Sequence, residues 1–377
     1  MILLSSPNIS GNEWKYVKEC LDTEWVSSVG SYVTDFENYI SEYTGSKYSV
    51  ACSSGTSALH ISLLVSDIKR DDYVILPNIT FIASANSIKY VGANPIFIDV
   101  DLNNWQMDIV LLNEFLEKKT YQKNNKCLLK KDNKYIKAIM PVHVLGNILD
   151  IDKLLEIGNN HNIQIIEDSS ESLGSFYKSK HSGTFGKIGV FSFNGNKIIT
   201  TGGGGMIITD DDEIAKEAKH LTTQAKSDPF EYFHNKVGYN YRLVNVLAAM
   251  GVAQLEQLDK FIIHKKRVEK IYKEELKNVG DIEFQTVSED VNSNSWLFTI
   301  KTKFQKKLLS KLNENKVQSR PLWIPMNRLP MYNRDIFYTN NDNSLLLYNS
   351  CLSIPSSSNL KDSQLDFIIK LIKSEFL

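Results

Sequence analysis

The sequence of 377 residues predicts an α/β protein with a mostly parallel central sheet. Between residues 45 and 210, short segments typical of strands alternate with segments that have helical spacing. The strand segments are apolar along almost their whole length, which indicates burial on both faces, as in parallel sheets covered by helices. In such folds ligands bind at the carboxyl ends of the strands.

Seven segments have the composition of strands: Tyr48–Ala51, Asp72–Leu76, Pro95–Val100, Ile136–Val142, Ile163–Glu167, Ile188–Phe193 and Met206–Thr209. Helical patterns follow the first two, at Thr56–Val65 and Phe81–Tyr90. The charged stretch 117–137 is interpreted as a surface helix end and hairpin. After Arg242, apolar residues recur near helical spacing as far as Ile262, which predicts one long helix. We expect it to join a large domain, residues 1–254, to a smaller C-terminal α/β domain, residues 255–377.

Composition argues against several classes of protein. A net charge of −1 gives no overall field that would favour nucleic acid or an anionic membrane. The apolar opening of the chain, Met1–Leu4, is too short for a signal peptide or a membrane span. No C-x-x-C pair or His/Cys metal spacing occurs, which predicts reduced thiols and no metal site. The cysteines are scattered, at Cys20, Cys52, Cys127 and Cys351. We therefore expect a cytoplasmic protein.

Three polar residues follow apolar strands in the order carboxylate, serine, lysine: Asp168, Ser192 and Lys197. Pyridoxal phosphate (PLP) needs a buried carboxylate at its ring nitrogen, a hydroxyl at its phosphate and a lysine amine at its aldehyde carbon. The glycine run Gly202–Gly205 follows, where the backbone must turn tightly beside something bulky. Each feature alone has an ordinary explanation, such as a helix cap, a solvated lysine or a flexible turn. In this order on an α/β pattern, they predict a PLP site.

The segment Ser54–Ala58 leads from the first strand into the first helix. A turn of small residues at a helix N-terminus presents N–H groups and the positive end of the helix dipole to an anion. An ordinary helix cap would have the same composition. The turn does not match G-x-x-x-x-G-K-[ST], and the chain has no G-x-G-x-x-G and no G-x-S-x-G. A nucleotide-triphosphate loop, a Rossmann fingerprint and a hydrolase elbow are therefore unsupported.

Six motifs together resemble the DegT-type nucleotide-sugar aminotransferases, which are PLP enzymes of fold type I. The motifs are Ser54–Leu59, Pro77–Phe81, Gly92–Pro95, Glu167–Glu171, Ser192–Lys197 and Gly238–Arg242. The resemblance covers nearly the whole chain and implies an aspartate-aminotransferase-like fold. More narrowly, Glu167–Gly174, Phe191–Gly205 and Arg320–Trp323 resemble the branch that serves legionaminic-type sugars.

The resemblance implies a role at the cofactor for nine residues. Gly55, Thr56 and Ser192 match the phosphate site, Phe81 and Ser170 the two faces of the ring, Asp168 the ring nitrogen, Glu171 the phenolic oxygen, Lys197 the Schiff base, and Asn240 the phosphate of a neighbouring subunit. Lys197 and Asp168 are thus the expected catalytic residues. The active unit is expected to be a homodimer with shared sites.

The resemblance also implies a substrate. Residues expected along the nucleotide sugar are Trp25, Ser27, Ser28, Arg320 and Trp323. The implied reaction moves an amino group from L-glutamate, through pyridoxamine phosphate, to the 4-keto carbon of a UDP-linked 2-acetamido-2,6-dideoxy sugar for surface-polysaccharide or nonulosonic-acid biosynthesis. The alternatives are a dTDP- or GDP-linked keto sugar, sugar dehydration, and a non-catalytic regulator with the same fold. Dehydrating relatives have histidine where this chain has Lys197.

Two positions depart from the family pattern. Many members have glutamine or histidine where this chain has Glu171, and a carboxylate there would repel a phenolate. Glu171 is therefore expected to carry a proton or to turn toward substrate. A histidine is also expected near Asn327, a position that often faces the sugar.

Overall fold

The computed structural model describes residues 1–228 and 230–376. Its helices are α1 (Glu13–Asp22), α2 (Ser31–Thr44), α3 (Gly55–Val65), α4 (Ala83–Tyr90), α5 (Ile109–Lys119), α6 (Ile151–His161), α7 (Asp212–Thr222), α8 (Asn245–Leu255), α9 (Leu258–Leu276), α10 (Gln305–Glu314), α11 (Asn343–Ser350) and α12 (Asp362–Lys373). Its strands are β1 (Tyr48–Cys52), β2 (Tyr73–Pro77), β3 (Asn94–Ile98), β4 (Thr120–Lys123), β5 (Lys126–Leu129), β6 (Ile136–Ile139), β7 (Gln164–Asp168), β8 (Phe176–Tyr177), β9 (Lys180–His181), β10 (Ile188–Ser192), β11 (Gly205–Thr209), β12 (Glu283–Phe284), β13 (Val291–Asn292), β14 (Phe298–Lys301), β15 (Arg320–Pro321), β16 (Ile336–Tyr338) and β17 (Cys351–Ile354).

The main sheet has eight strands in the order β1-β11-β10-β7-β6-β2-β3-β16. Strand β11 runs antiparallel to both of its neighbours, β1 and β10, and the remaining pairs from β10 to β16 are parallel. The predicted α/β fold with a mostly parallel sheet is confirmed. Strand β16 was not predicted, and it adds a segment from the last third of the chain to the far edge of this sheet.

The core of the main sheet lies on both faces, because successive side chains of a strand point to opposite sides. Val50 and Cys52 of β1 pack with α3 and α7, whereas Ala51 between them packs with α2 and α8. Likewise Val74 of β2 packs in the same layer as Val50 and Cys52, and Ile75 packs with α5 and α6. Double-sided burial explains why the strands are apolar throughout.

A second sheet of four antiparallel strands, β12-β14-β17-β15, lies in the C-terminal part of the chain. It packs with α9, α10 and α12 around buried residues such as Tyr272 and Ile300. The chain start joins this region, since Ile2 bridges to Val317. The expected hairpin within 117–137 is present as β4 and β5.

The predicted long helix after Arg242 is wrong in one respect, because it is two helices. Helix α8 ends at Leu255, where the carboxylate of Glu256 accepts hydrogen bonds from Asn12 and Tyr16, at 2.7 Å each. Helix α8 packs under the main sheet, while the second half of α9 packs on the four-stranded sheet. The first half of α9 still packs in the same core as α8, through Leu258, Phe261 and Ile262. Within the described residues no helix is both long and apolar enough to cross a membrane.

Candidate active site

A cavity of about 620 Å³ opens at the carboxyl ends of β7 and β10. Ten of the residues predicted for the site line it: Gly55, Thr56, Phe81, Asp168, Ser170, Glu171, Ser192, Lys197, Arg320 and Trp323. Strand ends of the main sheet supply most of these side chains, and the C-terminal part closes the opposite wall. The sheet edge on which the sequence placed the site is the edge that carries the cavity.

Asp168 is the last residue of β7 and is 3 % exposed. Its Oδ2 accepts a hydrogen bond from Ser84 Oγ at 2.6 Å, and its Oδ1 accepts one from the Ser170 N–H at 3.1 Å. Two donors hold the buried carboxylate in one orientation at the cavity wall. It can receive a further donor there, such as a protonated pyridine nitrogen. Ser84 itself was missed in the sequence analysis, because a serine in the first turn of α4 looks like an ordinary capping residue.

Lys197 lies beyond β10 with its side chain 11 % exposed. Its Nζ is 3.6 Å from Oε1 of Glu171, and the other oxygen of that carboxylate accepts a hydrogen bond from the Leu145 N–H at 2.8 Å. Burial raises the pKa of Glu171, and the neighbouring Lys197 cation opposes the shift. Glu171 therefore faces the lysine amine.

The turn between β1 and α3 forms a cradle for an anion. Ser54 caps α3 by accepting a hydrogen bond from the Ser57 N–H at 3.0 Å. The N–H groups of Gly55 and Thr56 lie in the first turn of the helix, where no intrahelical acceptor exists. A Cβ on Gly55 would lie 2.7 Å from the Ser192 Cβ, so only glycine lets the helix start come this close to the serine. Two backbone donors and a hydroxyl thus meet at the positive end of a helix dipole.

These residues fit PLP. The cradle suits a phosphate, Asp168 suits a ring nitrogen, and Lys197 supplies an amine within the same cavity. Phe81 and Ser170 line the walls between them, as stacking on two ring faces would require. Among residues 1–228 and 230–376, no cluster of three or more His, Cys, Asp or Glu side chains could hold a metal ion.

Four predicted site residues lie outside this cavity: Trp25, Ser27, Ser28 and Asn240. The segment containing the first three is tied to Asn245 at the start of α8, whose side chain donates to the Trp25 carbonyl at 2.8 Å. Asn240 is exposed and bridges to Thr223. These four residues do not line the cavity within a single chain, and their roles stay predictions.

The cavity also contains residues that the sequence analysis did not select. Trp296 comes from the loop before β14, and its ring centroid lies 4.1 Å from Lys197 Nζ. Asn194, Asn196 and Ser353 line the cavity as well. No local pattern singles out Trp296, because its place beside Lys197 depends on how the C-terminal part packs on the main sheet.

The profile of the DegT/DnrJ/EryC1/StrS aminotransferase family matches residues 7–373. The chain belongs to this family. The aminotransferase is 37% identical over 369 residues to the GDP-perosamine synthase of Escherichia coli O157:H7, covering 97% of this chain and 96% of that protein. It is 36% identical over 378 residues to the GDP-perosamine synthase of Caulobacter vibrioides, covering 98% and 96%. A DegT DnrJ EryC1 StrS aminotransferase from Brucella abortus has the same fold, with a TM-score of 0.89, 25% identity, and coverage of 97% of this chain and 95% of that chain.

Membership of the family confirms that the protein is a PLP-dependent sugar aminotransferase acting in nucleotide-sugar biosynthesis. Solved structures of the same fold include a PLP form and a PMP form. The regulator and dehydratase alternatives are set aside, and Lys197 is retained where dehydrating relatives would have histidine. The roles of the individual site residues stay predictions.

Proposed function

We propose that the enzyme transfers an amino group from L-glutamate to the 4-keto carbon of a GDP-linked deoxysugar. The observation that carries the proposal is the similarity to two GDP-perosamine synthases over at least 96% of both chains. A third such synthase, from Vibrio cholerae, is 34% identical over the full length of this chain. These relatives favour the GDP alternative over the UDP-linked, legionaminic-type sugar that the motifs placed first.

PLP supplies an electron sink that stabilises negative charge on a carbon next to nitrogen. The protein's part is to hold the ring nitrogen protonated and to move protons. Asp168 is suited to the first task because it is buried and fixed by Ser84 and Ser170. A carboxylate in that position stabilises a proton on the nitrogen it faces.

Lys197 is suited to the second task. Nζ lies in the cavity, where with PLP bound the amine would take a proton from the donor Cα and deliver it to a carbon of the cofactor. In the second half of the reaction the same atom moves protons in the reverse order, toward the sugar carbon. The N–H groups of Gly55 and Thr56 and the Ser192 hydroxyl would hold the phosphate of PLP.

The acceptor is proposed to lie along the C-terminal wall. Arg320 and Trp323 line the cavity there, and besides Lys197, Arg320 is the one cationic side chain among the described lining residues. A guanidinium binds diphosphate oxygens in a bidentate way, and an indole offers a face for a base or sugar. Asn327 stands where a histidine was expected. Its side chain is hydrogen-bonded within the protein, since Oδ1 accepts from Asn78 Nδ2 at 2.9 Å.

The active unit is proposed to be a homodimer in which Asn240 serves the partner's site. In one chain Asn240 is exposed and outside the cavity. The segment just before it exposes large apolar side chains, with Phe230 92% and Tyr232 91% exposed. Exposed aromatic side chains of this kind are typical of surfaces that bind another chain.

The domain division and the location also stand as proposals. Residues 1–254 and 255–377 are proposed as the large and small domains, with β16 crossing back to the main sheet. The four cysteines are free and buried, in keeping with a reducing cytoplasm.

The substrate proposal is tested with purified enzyme, PLP and L-glutamate. GDP-, UDP- and dTDP-linked 4-keto-6-deoxy sugars are offered separately, and products are detected by mass spectrometry. We expect the GDP-linked sugar to gain an amino group with the largest kcat/KM. A larger kcat/KM for the UDP-linked 2-acetamido sugar would instead support the substrate that the sequence motifs predicted.

A further inference from the structure

The Lys197 amine lies close to two groups that come from different parts of the chain. The indole centroid of Trp296 is 4.1 Å from Nζ, and Oε1 of Glu171 is 3.6 Å from the same atom. Trp296 is 2% exposed and Glu171 is 4% exposed. An aromatic face and a carboxylate both stabilise a cation, and more strongly where water is excluded.

We propose that Trp296 and Glu171 form a receiving site for the Lys197 ammonium group, occupied whenever Lys197 is not bonded to the cofactor. The inference rests on the proposed role of Lys197 and extends it. In that role Nζ is a cation between taking a proton from one carbon and giving it to another. The receiving site stabilises this cation at the place where the next transfer starts.

A single buried side chain links the two members of the receiving site. Asn294 donates from Nδ2 to the backbone carbonyls of Glu171 and Leu173, each at 2.9 Å. Its Oδ1 accepts from the Trp296 N–H at 2.9 Å. Asn294 therefore ties the backbone of Glu171 to the backbone of Trp296 and is a positioning residue.

The indole is also fixed at both its ring and its backbone. Its Nε1 donates to the carbonyl of Asn196, the residue before Lys197, at 2.8 Å. The Trp296 carbonyl accepts from Nζ of the buried Lys265 at 2.9 Å. Trp296 thus positions the Lys197 backbone through one atom and receives its amine through the ring face.

The test measures the reactivity of Lys197 and does not require turnover. Enzyme loaded with pyridoxamine phosphate, in which Lys197 is free, is treated with a trace of acetic anhydride, and acetylation of the Lys197 peptide is followed by mass spectrometry. Trp296→Leu should raise the acetylation rate about fivefold to tenfold, because the amine loses its cation-stabilising face and its cover. Trp296→Phe keeps an aromatic face and should stay near wild type. Glu171→Gln should also raise the rate.

Two controls separate this from loss of structure. Trp14→Leu changes a tryptophan that is 81% exposed and should leave Lys197 acetylation unchanged. Acetylation of the buried Lys265 would report a loosened fold. If it appears in Trp296→Leu, the receiving site is tested by comparing Lys197 acetylation in Glu171→Gln with that in wild type. Unchanged Lys197 acetylation in Glu171→Gln and in a folded Trp296→Leu variant, or equal rates for Trp296→Leu and Trp296→Phe, would overturn the proposal.

A second measurement follows the reaction with glutamate alone. Trp296→Leu should slow the conversion of the bound cofactor about tenfold while the KM for glutamate stays within about twofold, with rescue by Trp296→Phe. If Lys197 were not the cofactor-binding lysine, borohydride would attach PLP to another peptide. Failure of the Lys197 assignment would thus be seen as PLP on another peptide. Failure of the receiving site would be seen as Lys197 acetylation that does not depend on Trp296.

Discussion

Two walls face each other across the cavity, and their polar groups are held differently. The strand-end wall, formed by Gly55, Asp168, Glu171, Ser192 and Lys197, is buried, and its charged groups already have partners within the protein. The C-terminal wall includes Arg320, which is exposed, and Trp323, which is half-buried. The charged groups of the first wall are positioned by other groups of the protein, whereas Arg320 and Trp323 in the second wall are accessible to a ligand. Changes in the first wall should therefore affect the rate, as should changes of Trp296, which contacts Lys197, whereas changes of Arg320 and Trp323 should affect the affinity for substrate.

The largest effect is expected for Lys197→Ala. Because no other lysine lines the cavity in the described part of the chain, loss of Nζ should lower kcat by at least about 10³-fold. Borohydride should fix PLP to the Lys197 peptide in wild type and in Lys187→Ala, an exposed control. PLP fixed to any other lysine in wild type would refute the assignment.

Asp168→Asn should lower kcat about 100- to 1,000-fold, or about 3–4 kcal/mol of barrier, because a neutral amide does not keep the ring nitrogen protonated. Bound PLP, measured by absorbance, should be retained. Ser84→Ala is the matched variant, since it keeps the carboxylate and removes one donor, and its loss should be smaller. Near-wild-type rates for Asp168→Asn would leave this residue only its structural contacts, with Ser84 and the Ser170 N–H.

Asn240→Ala should lower activity about tenfold by weakening a phosphate contact across subunits. Mixing this variant with Lys197→Ala chains shows whether Asn240 acts on its own site or on the site of its partner. A mixed dimer has one site free of both substitutions only if Asn240 acts on its partner. We expect activity to recover on mixing. No recovery, with subunit exchange confirmed, would place Asn240 outside a shared site.

Arg320→Ala should raise the KM for the nucleotide sugar about tenfold, since one charge-assisted contact is lost, while the half-reaction with glutamate keeps its rate. Arg328→Ala, in an exposed residue outside the cavity, is the control. Steady-state kinetics with both substrates measures the effect. An equal loss in the glutamate half-reaction would mean that the two walls are not functionally distinct.

The last prediction concerns stability instead of activity, at a buried lysine behind the C-terminal wall. Burial lowers the pKa of Lys265 to about 7, well below that of an unfolded lysine. The unfolded chain binds the extra proton between these values, so stability should rise from pH 7 toward pH 9, by up to about 1.4 kcal/mol per pH unit. Urea unfolding of Lys265→Met should lack this contribution. If the free energy of unfolding depends on pH identically in wild type and Lys265→Met, the lowered pKa of Lys265 is contradicted.

The strand-end wall could be predicted from sequence because its parts are local. Asp168, Ser192 and Lys197 each follow an apolar strand, and parallel strands bring their carboxyl ends to one edge whatever the rest of the chain does. Gly55 follows the same rule, since it begins the helix after β1. Alternation of strands and helices together with the order of these residues was sufficient for the fold class and the cofactor.

Only the tertiary structure decided what lies opposite. Trp296 reaches Lys197 from about 100 positions away, through the packing of α9 and β14 against the main sheet, and β16 returns from the C-terminal part as an edge strand. Helix α9 also passes from one core to another, since Phe261 packs under the main sheet and Tyr272 packs on the four-stranded sheet. Local sequence patterns record which face of an element is apolar, but not which distant surface covers that face.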